Sequence, residues 1–164
     1  MTTTYTPGAS SHRYARAAVH LWPARESGKR ASWVLVPEPT TVPKTRRRVR
    51  GKLSDWGLAA QSDVVELLVS EVVTNAMRHS WGAVMSLAMD DGTLRCEVQD
   101  TNPALPQVRE VHEGDEGGRG MYLMQALSTS WGSHPLSTGK VVWFELACEP
   151  AGTPAGAEGN GDDD

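Results

Sequence analysis

The chain has 164 residues, a formal net charge of −4, 39% hydrophobic residues and only 6% aromatic residues. This length fits one domain with irregular ends, and the mild acidity gives no indication of a nucleic-acid partner. No run of about 18 apolar residues is present and the first residues are polar, so neither a transmembrane helix nor a signal peptide is expected.

The ends of the chain are predicted to be disordered. Residues 1–30 are rich in Thr, Ser, Gly and Arg and show no clear periodicity, and residues 149–164 are mainly Pro, Gly, Ala, Glu and Asp. Such segments bury too little apolar surface to fold. We therefore place one ordered domain at residues 31–148.

The first ordered elements are a short strand and a basic helix. Residues 32–36 form a β-type run that Pro37 closes. A helix then begins at Thr40 or Thr41 and ends at Gly57, with apolar residues along one face. The positive charges between these apolar residues indicate a solvated helix face, with a protein-partner surface as the alternative; they are Lys44, Arg46, Arg47, Arg48, Arg50 and Lys52.

The central helix is predicted from near Asp63 to near His79 and is mostly apolar and buried. Glu71, Asn75 and His79 recur at i, i+4 and i+8, which places an acid, an amide and an imidazole on one stripe. Polar groups on a buried helix are costly unless they have partners. Either the fold or a ligand must satisfy this stripe.

Two pairs of strands follow. Residues 83–89 and 93–99 are predicted to form an antiparallel hairpin, because an Asp-Asp-Gly turn separates them and the second strand alternates apolar and polar residues. A long loop from Asp100 to about Gly117 leads to a helix from about Gly120 to Leu127, and two short strands close the domain. Cys96 and Cys148 lie far apart in strand-like stretches and are not spaced as metal ligands. Reduced thiols in a cytoplasmic protein are therefore expected.

This order of elements predicts an α+β fold. Strands joined by tight turns indicate a mixed, mostly antiparallel sheet, and the helices between them pack on one face to give a two-layer α/β sandwich.

Residues 117–120, Gly-Gly-Arg-Gly, lie directly before a predicted helix. Glycines allow close backbone approach, and the free N–H groups and dipole of a helix N-terminus favour phosphate. The turn is neither a P-loop nor a dinucleotide-binding fingerprint. Asn75 is a candidate ligand for Mg²⁺, Glu71 a candidate proton acceptor, and Asp100 a candidate acceptor for the amine of a base.

These motifs resemble those of the GHKL, or Bergerat-type, ATP-binding superfamily. Glu71, Asn75, Ala76, Arg78 and His79 resemble its N-box. Residues 100–103 resemble its adenine-binding box, and residues 117–121 its phosphate loop. Within the superfamily the chain looks most like anti-sigma factor serine/threonine kinases and short actinobacterial ATP-binding regulators, and the resemblance covers residues 32–146.

The resemblance implies a role for each matching position. Glu71 is expected to be the general base for a serine or threonine hydroxyl, and Asn75 to hold Mg²⁺ on the phosphates of ATP. Asp100 is expected to bind the adenine amine. The remaining expected nucleotide-binding residues are Arg78, His79, Asn102, Gly118, Arg119, Gly120 and Met121.

Two positions depart from the family pattern. Relatives often have Gly or Ser where this chain has Asn102, which Pro103 follows. Relatives also often have a threonine that supports adenine recognition where this chain has Val141. Because valine lacks a hydroxyl, we expect weaker adenine recognition at that position.

The resemblance implies an ATP-dependent anti-sigma-type serine/threonine kinase with Mg²⁺, an anti-anti-sigma protein as substrate and a sigma factor as a second partner. Relatives often form dimers, so a homodimer is expected. Direct contacts with nucleic acid or with a membrane are not expected. The alternative is a regulatory module that binds ATP, or only retains the fold, and acts by docking. The ATPase half of a histidine kinase is disfavoured, because no pair of phosphoacceptor helices precedes the N-box.

Overall fold

The computed structural model describes residues 3–5, 28–106 and 119–148. Three α-helices and six strands make up this part of the chain, with a short 3₁₀ turn at Ala59–Gln61. The strands are β1 (Thr3–Tyr5), β2 (Lys29–Leu35), β3 (Ala83–Asp90), β4 (Thr93–Asp100), β5 (Ser130–Leu136) and β6 (Gly139–Ala147). The helices are α1 (Thr41–Asp55), α2 (Ser62–His79) and α3 (Arg119–Leu127).

The strands form one sheet in the order β1-β5-β6-β4-β3-β2. Every pair among the described strands is antiparallel, whereas a mixed, mostly antiparallel sheet was predicted. The helices lie against one face of the sheet, because α2 packs on α1, α3 and β4. The predicted two-layer α+β fold is therefore confirmed.

The structure contains one strand that was not predicted and another that begins earlier than predicted. Thr3–Tyr5, within the predicted disordered leader, pairs with β5 at one edge of the sheet. Strand β2 begins at Lys29 rather than at residue 32 and forms the opposite edge. Residues 6–27 and the predicted tail at 149–164 lie outside the described residues, so the domain boundaries stay predictions.

The hairpin between β3 and β4 has the predicted turn. Asp91 and Gly92 have φ values of 45° and 74°. Positive φ at both central residues matches the right-handed twist of the flanking strands. Asp91 tolerates this conformation better than most side chains, and Gly92 has no Cβ to oppose it.

Helix α2 provides much of the hydrophobic core between the helices and the sheet. Its buried positions recur at helical spacing and face the buried residues of β3, β4 and β6; on α2 they are Val65, Leu68, Val69, Val72, Val73 and Ala76. Each fully buried Val or Leu contributes about 1.5–3 kcal/mol of transfer free energy. The prediction that this helix is mostly buried along its apolar residues is confirmed, with Val64 and Leu67 as exceptions at 37% and 41% exposed.

The other face of the sheet carries a charged cluster. Arg95 forms ion pairs with Glu97 and Glu145 at 2.7 Å and 2.8 Å and lies over the ring of Trp143. Both cysteines are free, as predicted, and both are buried. No helix among the described residues is long and apolar enough to cross a membrane.

Candidate functional site

Two of the predicted site residues, Asp100 and Asn102, lie where β4 ends and β6 begins. Asp100, the last residue of β4, lies opposite Lys140 in the register of the two strands. Alternation along β4 puts Asp100 on the same face as Leu94, Cys96 and Val98, which is the face that the helices cover. The carboxylate therefore lies inside the fold at the end of the sheet.

Asp100 and Lys140 form a buried ion pair. Lys140 Nζ lies 2.9 Å from Asp100 Oδ2 and 3.2 Å from Oδ1, and each side chain is 1% exposed. Nζ also donates to the backbone carbonyl of Asn102 at 3.2 Å. The lysine thus joins β6 to the turn that follows β4.

The turn after β4 is held by two successive side-chain-to-backbone hydrogen bonds. The N–H of Asn102 donates to Asp100 Oδ1 at 2.8 Å, and the N–H of Ala104 donates to Asn102 Oδ1 at 3.0 Å. Asp and Asn side chains favour turns because they can accept from N–H groups two residues on. The departure at Asn102 therefore supplies a defined turn, in which the side-chain oxygen of Asn102 is already used.

Gly139 permits the close contact between the two strands. It has a φ of 153°, and a Cβ at this position would lie 1.8 Å from the carbonyl oxygen of Asp100. Only glycine allows β6 to pass so near the end of β4. This approach brings Lys140 to the carboxylate.

The polar stripe lies along the second half of α2. Glu71 and Asn75 are half-buried, whereas Arg78 and His79 are exposed at the end of the helix. Among the residues whose side chains the structure describes, none forms a hydrogen bond or ion pair with the side chain of Glu71 or Asn75. The described part of the fold thus leaves an acid and an amide available to a ligand.

Glu71 lies against the first turn of α3. A Cβ built at Gly120 would be 2.9 Å from Glu71 Oε2 and 3.4 Å from Glu71 Cβ, so the absence of a side chain lets the helices meet there. A carboxylate beside the N-terminus of a helix is favoured by the helix dipole. The N-box and the start of the helix after the glycine-rich turn are therefore in contact.

Three further predicted residues are Gly118, Arg119 and Met121. Gly118 lies outside the described residues, and Arg119 opens α3 with its side chain outside them. Met121 is 6% exposed and belongs to the hydrophobic core. Its side chain packs in the core, so a role in nucleotide binding would involve its backbone.

Lys140 was not among the predicted site residues, whereas the neighbouring Val141 was singled out from the sequence. Val141 pairs with Gln99, one residue from the Asp100–Lys140 pair. Since adjacent strand residues face opposite ways, Val141 lies on the helix-free face, away from Asp100. The residue that faces Asp100 is therefore Lys140 rather than Val141, and the expectation of weaker adenine recognition at Val141 stays a prediction. No local pattern in the sequence could have identified Lys140, because its contact with Asp100 depends on the register between β4 and β6.

The residues present fit ATP and Mg²⁺. An amide without a partner in the described fold, Asn75, lies one helical turn after Glu71. Mg²⁺ usually keeps several waters and takes one or two protein ligands together with phosphate oxygens. Such a site needs no cluster of three or more His, Cys, Asp or Glu side chains, and the described residues contain none.

Comparison with known proteins identifies similar families and folds. A family model described as a histidine kinase-like ATPase domain matches residues 35–146. Among solved structures, the chain is similar to the RsbU and RsbW domains of Rv1364c from Mycobacterium tuberculosis, with 19% sequence identity and a TM-score of 0.57. The match covers 72% of this chain and 32% of that chain, so this chain spans about a third of its length. At this identity the likeness concerns the fold alone. No curated protein matches the chain.

Proposed function

Because the chain belongs to the family of histidine kinase-like ATPase domains, within the GHKL superfamily, we propose that it is a regulatory serine/threonine protein kinase of the anti-sigma type. It binds ATP and transfers the γ-phosphate to a serine or threonine of an anti-anti-sigma protein. A sigma factor is its second partner, and the active form is a homodimer in the cytoplasm. The similarity in fold to a protein with an RsbW domain supports this choice of kinase class.

The observation that carries the proposal is the position of Glu71. Its carboxylate lies against Gly120 at the start of α3, one turn before Asn75, and has no hydrogen-bond partner among the described residues. In the proposed reaction Glu71 accepts the proton of the partner's hydroxyl group. The hydroxyl oxygen forms a bond to the γ-phosphorus, the bond to the β–γ bridging oxygen breaks, and ADP leaves.

The other residues hold the nucleotide. Asp100 accepts a hydrogen bond from the amine of adenine, and Asn75 provides the protein ligand for Mg²⁺. When bound, Mg²⁺ neutralises charge on the phosphates and orients them. Arg78, His79, Asn102 and the backbone of the first turn of α3 line the site; the contributing residues of that turn and the loop before it are Gly118, Arg119, Gly120 and Met121.

The substitution Glu71→Gln tests the base directly. It keeps the size of the side chain but removes the proton acceptor, so we expect phosphate transfer to fall roughly 100-fold or more. ATP affinity should change less than about twofold, because Glu71 contacts the hydroxyl group rather than the nucleotide. Transfer is measured with radiolabelled ATP and a panel of candidate partner domains, and affinity by calorimetry.

A matched control is Glu38→Gln, which removes the charge of an exposed glutamate between β2 and α1. It should leave both transfer and affinity unchanged. If Glu71→Gln transferred phosphate as fast as the wild type, Glu71 would not be the base.

A second candidate function is docking without phosphate transfer. The observation that favours it is the crowding of Asp100, whose carboxylate already contacts Lys140 and the N–H of Asn102. Titrations of ATP with and without Mg²⁺, followed by tryptophan fluorescence and calorimetry, separate the two. Saturable binding without transfer to any candidate partner would favour the docking module, and the absence of saturable binding would favour a degenerate site.

A further inference from the structure

Lys140 is a buried cation in contact with the carboxylate that the proposed function assigns to base recognition. Its Nζ is 2.9 Å and 3.2 Å from the two oxygens of Asp100, and 3.2 Å from the carbonyl oxygen of Asn102. We propose that Lys140 is a positioning residue, whose ammonium orients Asp100 so that the carboxylate accepts one N–H from the base of a purine nucleotide. This inference rests on the proposed function.

The number of acceptor positions on Asp100 supports this role. A carboxylate has about four lone-pair sites. The N–H of Asn102 occupies one on Oδ1, and Lys140 contacts both oxygens. One acceptor direction therefore remains, on Oδ2. A single donor such as the exocyclic amine of adenine matches this remaining site, and the ion pair fixes the direction in which it points.

Burial makes the orientation of Asp100 depend on the lysine. Both side chains are 1% exposed, and removing two charges from water is costly unless the geometry of the pair is good. Without the ammonium, the carboxylate would be left buried with one hydrogen bond from Asn102. It would then turn towards water or admit water, and the acceptor direction offered to the base would be lost.

A purely structural ion pair predicts a different result from a positioning residue. If Lys140 only ties β6 to the turn after β4, its loss should weaken the binding of every nucleotide equally. If it orients Asp100, the loss should fall on bases that carry the amine. The ratio of affinities for two nucleotides that differ only in that amine therefore separates the two roles.

The test uses the full chain with ATP and with purine riboside triphosphate, in which hydrogen replaces the amine of adenine. We expect the wild type to prefer ATP about tenfold, the value of one hydrogen bond to a charged group. In Lys140→Met the preference should fall to less than about twofold, while affinity for the analogue stays within about twofold of the wild type. Calorimetry in the presence of Mg²⁺ measures both affinities.

Two further variants complete the experiment. Arg95→Met removes a partly buried cation from the helix-free face, about 17 Å along β4 from Asp100, and should keep the full preference for ATP. Lys140→Gln keeps one N–H donor near Asp100 but loses the ammonium, and should reduce the preference about threefold. It takes the place of Lys140→Met if that variant does not fold.

The outcomes are distinguishable. Failure of the wild type to bind ATP would overturn the proposed function and this inference together. Binding by the wild type, with the same preference for ATP in Lys140→Met, would overturn only the role of Lys140. An equal loss of affinity for both nucleotides would also overturn the role of Lys140. If Lys140→Met did not fold, an unchanged preference for ATP in Lys140→Gln would overturn it.

Discussion

Gly139 lies where β6 passes close to the end of β4. A Cβ there would lie 1.8 Å from the carbonyl oxygen of Asp100 and 2.9 Å from Cα of Thr101, and the φ of 153° is strained for any other residue. Backbone atoms cannot move aside as a flexible side chain can. We therefore expect Gly139→Ala to destabilise the protein by more than about 3 kcal/mol, measured as the free energy of unfolding in urea.

Gly51 offers a matched control for that substitution. It lies inside α1 and is exposed, and a Cβ added to it would meet no atom of a neighbouring element within 4 Å. Since alanine is favoured over glycine in a helix interior by about 1 kcal/mol, Gly51→Ala should stabilise the protein slightly. If the two substitutions had similar effects on unfolding, the close approach of β6 to Asp100 would be contradicted.

At the scale of the elements, α1 and α2 are joined by a charged contact as well as by their apolar faces. Arg50 Nε lies 2.5 Å from Glu66 Oε1, and Arg50 also reaches Asp63 Oδ1 at 3.3 Å. The side chain of Glu66 is only 15% exposed. Most of the basic residues of α1 are exposed, as predicted, but Arg50 pairs with the neighbouring helix.

Replacing Arg50 with alanine should therefore lower the midpoint of thermal unfolding. The substitution leaves a largely buried carboxylate on α2 without its cation, which costs more than the loss of a fully exposed pair. Arg48→Ala is the comparison, because Arg48 is an exposed residue of the same helix and has no such contact with α2. Equal midpoints for the two variants would show that the pair contributes nothing to stability. The effect should also shrink at high salt.

Most elements were predictable because their signals are local. Helix α2 follows from apolar residues at helical spacing, and the β3–β4 hairpin follows from Asp-Asp-Gly between two alternating runs. Strand β1 was missed because three residues without a pattern are specified by their partner strand rather than by their own sequence. The exposure of Val64 and Leu67 was not predictable, because periodicity indicates an apolar face but not its width.

For the molecule as a whole, the order of motifs was enough to predict the superfamily and the fold, and both are confirmed. The sequence also predicted that Asp100 ends a strand in the site. It did not predict that Lys140 faces this carboxylate, because that contact depends on the register between β4 and β6, which are forty residues apart. The roles of the individual site residues stay predictions.

The stability of the whole molecule should depend on pH through His134. This half-buried residue lies on β5 opposite Val141. Burial lowers the pKa of His134 below its ordinary value of 6.5; Arg95 acts in the same direction, and Glu97 opposes them. The neutral imidazole is therefore the form that the fold favours.

The sign of the effect follows from proton binding. Between the lowered pKa of His134 and 6.5, the unfolded chain binds more protons than the folded chain, so the free energy of unfolding falls as the pH decreases through this window. His134→Gln removes this contribution and should show a smaller loss of stability between about pH 8 and about pH 5. Urea midpoints of both proteins at the two pH values give the loss of stability of each protein. Contributions from groups common to both cancel when the two losses are compared. If the wild type and the variant lost the same stability, protonation of His134 would not be coupled to folding, and its imidazole would have to be as well solvated in the sheet as in the unfolded chain.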